Sequence, residues 1–144
     1  MNTRLVLGGW DSLKDDAQPV RYQVFVLEQQ VPLELEWDEM DAPSLHAVAY
    51  DAQDRPVATG RLLPDGHIGR MAVLQPWRGQ GVGGEVLRAL IDAAARRGDA
   101  AVVLNAQVHA AEFYVRHGFV RFGAEFMEAG IPHIAMRRLL AAAT

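Results

Sequence analysis

The chain has 144 residues, half of them hydrophobic and 22% charged, which places it among single-domain globular proteins with room for one core and excludes disordered and fibrous classes. With 18 acidic against 14 basic side chains the net charge is -4, which argues against nucleic acid as the main partner. The absence of cysteine excludes disulfides, thiolate metal sites and a cysteine acyl-enzyme.

No apolar stretch approaches the roughly 20 residues of a membrane span, and the N-terminus lacks the apolar core of a signal peptide. A cytoplasmic protein with no membrane partner is therefore expected. Thr3 to Leu7 reads as a first strand ending at Gly8-Gly9. Val20, Val24, Leu27 and Val31 then recur at helical spacing, and Pro19 suits a first turn. The packed helix is expected to begin there, with Asp15 and Asp16 near its positive end and Pro32 as its stop.

An acidic run follows: Glu28, Glu34, Glu36, Asp38, Glu39 and Asp41, with no Lys or Arg between Arg21 and Arg55. It reads either as a solvated loop or as a negative mouth attracting a cationic amine. Ser44 to Asp51 and Arg55 to Leu63 read as strands joined by the turn Ala52-Gln53-Asp54-Arg55. The turn Pro64-Asp65-Gly66-His67 leads to a buried strand ending at Leu74, which completes an antiparallel meander. Arg61 and Arg70 lie on these buried strands and need partners, for which an internal carboxylate is favoured over a substrate acid.

Further on, Val86, Leu87, Leu90, Ile91 and Ala94 mark one face of a helix that closes at Arg96-Arg97-Gly98. Ala101 to Asn105 is a short strand, and the strand, helix, strand order implies a parallel pair with a right-handed crossover. Ala110 to His117 reads as a short helix capped by Gly118. Phe119 to Glu128 and Ile131 to Leu140 form a last hairpin, shaped by Gly130 and Pro132. No repeat or linker divides the chain, so residues 1–144 are expected to form one domain.

The stretch that organises the rest is Trp77-Arg78-Gly79-Gln80-Gly81-Val82-Gly83-Gly84. Its glycines open a helix whose first amides lack intrahelical partners and whose dipole is positive, so the loop is a ready anion site. Arg78 adds a fork of donors suited to phosphate oxygens. A P-loop needs Lys and Ser or Thr after the last glycine, but Glu85 and Val86 stand there. Gly79, Gly81 and Gly84 satisfy G-x-G-x-x-G formally. Against a dinucleotide site, Gln75 to Arg78 separate the strand from the first glycine, and Asp99 precedes the next strand instead of ending it.

Read as Arg-x-x-Gly-x-Gly, with Arg78, Gly81 and Gly83, and taken with Met71-Ala72-Val73 and Phe113 to Phe119, the chain resembles the GNAT superfamily of acyl-CoA-dependent N-acyltransferases. Val24 to Pro32, Gly60 to Pro64, Leu104 to Gln107 and Glu128 to His133 are similar to its ElaA-type (YjcF-like) subgroup. The resemblance implies an α+β, three-layer fold: a mixed, mostly antiparallel central sheet with one splayed parallel strand pair and helices on both faces. It implies acetyl-CoA as co-substrate. The pantetheine arm would lie in the splay against the backbone of Met71, Ala72 and Val73, an added strand in effect. The pyrophosphate would sit on the amides of Gly79, Gln80, Gly81, Val82, Gly83 and Gly84. Gln107 would approach the pantetheine, with capping of the next helix as the competing role.

Attack of an amine on a thioester needs a neutral nucleophile, an oxyanion donor and a proton for the leaving thiolate. Free lysine-like amines have a pKa near ~10.4, so a base or a depressed pKa is required. A backbone amide of the Met71 to Val73 strand is the expected oxyanion donor. The resemblance points to Tyr114 as the acid, against a purely packing role beside Phe113. The strand after the glycine-loop helix is apolar around Val102 to Leu104, where some family members carry a carboxylate base. That leaves a water relay, or Glu28, Glu36, Asp38 or His133 on the acceptor side. No His, Asp or Glu pattern has metal-ligand spacing, so no metal is expected.

The expected function is direct acetyl transfer, through a ternary complex, from acetyl-CoA to a primary amine of a small molecule or peptide, with a cationic acceptor favoured by the acidic run. A non-catalytic acyl-CoA-binding sensor and a nucleotide-binding oxidoreductase are the alternatives. Small mixed-sheet domains often pair symmetrically, so a homodimer is compatible with the sequence.

Overall fold

The computed structural model describes residues 2–140; Met1 and residues 141–144 of the expected single domain lie outside the described residues. β1 (Arg4–Gly8), β2 (Leu45–Tyr50), β3 (Pro56–Leu62) and β4 (Ile68–Val73) form one antiparallel sheet in that order. β5 (Ala101–Gln107), β6 (Val120–Glu128) and β7 (Ile131–Leu139) form a second, with β7 in the middle.

The expected splayed parallel pair is corrected. Every ladder among the described residues is antiparallel, and β4 and β5 approach each other in parallel only at the bridge from His67 to Val103. There the Val103 N–H donates to the Gly66 carbonyl at 3.1 Å. Beyond that point β4 pairs only with β3 and β5 only with β7, so the two strands present unpaired edges to a wedge.

Helices lie on both faces of the first sheet. α1 (Trp10–Arg21) packs Leu13 and Ala17 on Val48 and Tyr50, whereas α3 (Val82–Arg97) packs Val86, Leu87, Leu90 and Ile91 in the cluster that holds Ala47 and Ala49. Alternate residues of β2 thus serve opposite layers, as the period of two requires. A four-residue α2 (Leu33–Glu36) lies between α1 and β2.

The first helix begins nine residues before the expected start, and Pro19 lies inside it. Leu13, Ala17, Val20 and Val24 carry the buried stripe. Pro19 has no N–H for the preceding turn, and from Tyr22 to Glu28 the chain relaxes into a π-helix, with Gln29 N–H on the Val24 carbonyl at 3.0 Å. The wider turn rotates Leu27, expected on the apolar face, out to 53% exposure. Elsewhere the punctuation is local: Gly98 ends α3 at φ 93°, and Ala129-Gly130 turn the last hairpin at φ 51° and 75°.

Candidate functional site

The wedge is the floor of a cleft of about 770 Å³, walled by β4, the glycine loop, the end of β5 and α4 (Ala111–Val115). β4 carries a bulge there. Thr59 faces Ala72 and Arg61 faces Gly69, so Arg70 and Met71 together oppose Gly60 alone. Arg70 adopts φ 50°, and a Cβ on Gly60 would lie 2.6 Å from the Met71 sulfur and 3.0 Å from Leu90 and Val86, so a larger residue beneath the bulge would have to displace the Met71 side chain. A bulge leaves ladder groups unpaired, which puts backbone donors of β4 beside the cleft.

At the cleft's other end, Gly79 and Gly81 hold φ 78° and 84° and deliver the chain into α3. The first intrahelical bond of α3 runs from Glu85 N–H to the Gly81 carbonyl at 3.1 Å, so the amides of Val82, Gly83 and Gly84 have no intrahelical partner. Gly83 has a different reason to be glycine. Its side-chain position looks onto Val73 and Phe113, at 3.4 and 3.7 Å from a built Cβ, so a larger residue would narrow the cleft.

Two contacts tie the end of the π-helix to the walls of the wedge. Arg78 grips Glu28 through Nη1 and Nη2 at 2.6 and 2.7 Å while its Nε donates to the Val73 carbonyl at 2.9 Å. Hydrogen bonding to Arg78 holds the Glu28 carboxyl below its ordinary range. On the opposite wall, Gln107 and Gln29 exchange two amide hydrogen bonds of 2.9 and 3.1 Å, and Gln107 makes no side-chain cap to the helical turn that follows. Both expected cofactor residues therefore lie in the cleft with internal partners.

Tyr114 lies beneath this cleft, edge-on to Phe113 and Phe119 with ring centroids 5.0 and 5.9 Å apart. Burial alone raises its pKa to about 12, so the phenol keeps its proton throughout the neutral range. Met71, Ala72, Val73, Arg78, Gly79, Gly81, Val82, Gly83 and Gly84 line the same cleft, and Gln80 does not.

The acidic run divides, with Glu28, Glu34, Asp38 and Glu39 exposed and the other two acids turned inward. Glu36 and Asp41 are buried and bind Arg21 at 2.5 and 2.8 Å, while Arg61 binds Asp38 and Asp41 at 2.7 and 2.9 Å. Arg70 reaches Asp38 at 3.1 Å and the carbonyls of Leu35 and Glu36. Hydrogen bonds from Arg61 lower the Asp38 pKa, and burial raises that of Glu36. The internal partners expected for Arg61 and Arg70 are thus the acids of this run. Glu36, Asp38 and Asp41 are matched by these three guanidinium groups and Glu28 by Arg78, whereas Glu34 and Glu39 enter no ion pair among the described residues. Glu36 and Asp38 line neither this cleft nor the smaller one of about 200 Å³ beside it, which takes in His133 instead.

Residues 13–140 match the family described as acetyltransferase (GNAT) domain. The chain belongs to the GNAT acetyltransferase family.

A Bacillus subtilis (strain 168) protein named uncharacterized N-acetyltransferase YjcF is 46% identical over 127 residues, covering 85% of this chain and 90% of its own. Among solved structures, an acyl-CoA N-acyltransferase from Pseudomonas aeruginosa superposes with a TM-score of 0.84 at 32% identity, covering 95% of this chain and 99% of its own. Escherichia coli ElaA does so with the same TM-score at 28% identity and the same coverage. The protein is an acetyltransferase, and acetyl-CoA is the co-substrate of its fold.

The GNAT cleft also holds residues that sequence reasoning missed. Arg88 and Arg116 line it, and neither enters an ion pair among the described residues. Arg88 follows Gly84 by one helical turn, and its Nη1 lies 3.5 Å from His117 Nε2, whose Nδ1 sits 2.9 Å from the Phe113 carbonyl. The i, i+4 spacing from the last glycine was the available signal, since it stacks Arg88 over the open amides. Among the described residues no group of three His, Asp or Glu could hold a metal, and no helix is long and apolar enough to cross a membrane.

Proposed function

We propose that the chain transfers an acetyl group directly from acetyl-CoA to the primary amine of a small molecule or peptide, without an acyl-enzyme. The observation that carries this reading is the convergence on one cleft of three groups: the edge of β4 at its bulge, the free amides of Val82 to Gly84, and the protonated hydroxyl-bearing ring of Tyr114. The amides and the nearby Arg88 and Arg116 suit a diphosphate. The unpaired edge of β4 suits the amide groups of a pantetheine arm, and a backbone N–H at the bulge suits the oxyanion formed when nitrogen attacks the carbonyl carbon. Tyr114 then protonates the thiolate that leaves. The acceptor is an amine by this chemistry; four of the six acids of the acidic run are matched by arginines, so the run gives little reason to require additional positive charge.

A second reading has one observation behind it. The β5 positions Val102 and Leu104 are buried and apolar, so that strand brings no carboxylate base, as a cofactor sensor without turnover would allow. Calorimetry with acetyl-CoA and thiol release with a panel of amines separate the two. Binding together with thiol release that depends on an amine supports the transferase, and binding with no release on any amine supports the sensor. Absence of binding overturns both.

A further inference from the structure

The base is the part of the reaction without an owner, and the smaller cleft bears on it. This cleft is lined by Arg61, Arg70, Asn105, His67, Glu128 and His133, and it shares Ile68, Gly69, Arg70 and Asn105 with the larger one. The two clefts therefore meet across the wedge between β4 and β5. His133 stands opposite Gln107 in the ladder of β5 and β7, and Asn105 lies two residues from Gln107, so all three share one face of the second sheet. Gln107 reaches the larger cleft, His133 the smaller, and Asn105 both.

His133 is buried, 7% exposed, and its ring stacks on Phe126 with centroids 5.9 Å apart. Nδ1 lies 2.7 Å from the Ile131 carbonyl. A carbonyl only accepts, so the proton of the neutral ring belongs on Nδ1 and the lone pair on Nε2. Nε2 makes no hydrogen bond among the described residues and faces Glu128 Oε2 at 3.5 Å. Arg61 from β3 and Arg70 from β4 also face this cleft, but both are held by Asp38, joined by Asp41 and Glu36 respectively, and His67 lies against Asp65 at 3.0 Å. Glu128 is then the unmatched charge nearest Nε2, placed to stabilise the ring when it gains a proton.

We propose that His133 is the general base of the reaction, and that the acceptor amine enters through the smaller cleft to meet the thioester in the wedge. The proposal rests on the transferase reading and assigns a catalytic residue within it. As the C–N bond forms, a proton on the attacking nitrogen passes to His133 Nε2. The C–S bond breaks with its electron pair on sulfur, and the thiolate takes the Tyr114 proton. The imidazolium returns its proton to solvent, from which Tyr114 is reprotonated, so the net products are the N-acetylamine and free thiol.

The test uses the full chain with acetyl-CoA and an amine that the unaltered protein turns over. His133→Gln is expected to lower kcat by about 10²-fold with acetyl-CoA binding unchanged. Added imidazole is expected to restore turnover to His133→Ala, which a purely structural histidine would not permit. Turnover by His133→Gln at the unaltered rate overturns the proposal while leaving the transferase intact. If both His133 variants fail to fold, Glu128→Gln decides. That variant is expected to lower kcat with acetyl-CoA binding unchanged, because the carboxylate faces the nitrogen that gains the proton, and an unaltered kcat overturns the proposal. Failure of the unaltered protein to acetylate any amine while it binds acetyl-CoA defeats the transferase reading itself, and this assignment with it.

Discussion

Arg78 holds Glu28 across the mouth of the larger cleft while the same guanidinium caps the Val73 carbonyl, an edge group that the proposed pantetheine pairing would use. A ligand that pairs with β4 at Val73 has to take over that carbonyl, and one whose phosphates use Arg78 has to compete with Glu28. The ion pair is about 40% exposed on both sides, so its net worth is that of a surface pair, roughly 0.2–1 kcal/mol. Glu28→Ala is therefore expected to tighten CoA binding by up to about fivefold at low salt, with the difference shrinking as salt screens the pair. Calorimetry across a salt series checks this. Weaker binding by the variant at every salt concentration would mean that Glu28 positions Arg78 for the ligand instead of withholding it.

Tyr114 has its pKa raised to about 12 by burial, and a general acid works in its protonated form. The sign is then fixed: activity that depends on the phenol is full below that value and falls only as pH rises through it. Tyr114→Phe is expected to lower kcat by about 10²-fold, and the unaltered enzyme is expected to show no alkaline loss assignable to Tyr114 up to about pH 10. Steady-state thiol release from neutral to alkaline pH measures both. An alkaline limb below pH 10 that disappears in Tyr114→Phe would contradict the burial of the phenol.

Arg21 is enclosed by Glu36, Asp41 and the rings of Trp10 and Trp37, whose centroids lie 5.4 and 5.1 Å from its guanidinium carbon. Removing one partner of a buried pair leaves the others desolvated without compensation. Arg21→Met is accordingly expected to cost about 3–5 kcal/mol of stability, even though the new side chain fills much of the space. Asp41 keeps Arg61 at 2.9 Å, whereas Glu36 keeps only the longer contact to Arg70 at 3.5 Å, so Arg21→Met combined with Glu36→Gln is expected to recover part of the loss. Urea unfolding followed by tryptophan fluorescence reads both variants. A loss of under about 1 kcal/mol for Arg21→Met would show that the network is worth no more than surface pairs.

Much of the fold was legible because its signals are local. The glycine turn into α3, the close of that helix at Arg96-Arg97-Gly98 and the turn at Ala129-Gly130 each depend on backbone preferences within a few residues, and the observed positive φ values lie there. The start of the first helix was misplaced for an equally physical reason. Pro19 was read as a first-turn residue, whereas the apolar stripe of Leu13 and Ala17 against Val48 and Tyr50 carries the helix through it.

The sequence by itself determined the strand, the glycine turn and the helix whose first amides stay free, since free amides and left-handed glycines are properties of the chain at that point. Tertiary structure alone decided where the charges went. Glu36, Asp38 and Asp41 became interior partners of Arg21, Arg61 and Arg70, and the wedge opened because β4 and β5 joined different sheets after a single bridge. Which cation neutralises a carboxylate, and which edge a strand leaves unpaired, depends on residues brought together across the fold. No periodicity or turn preference along the chain encodes that proximity.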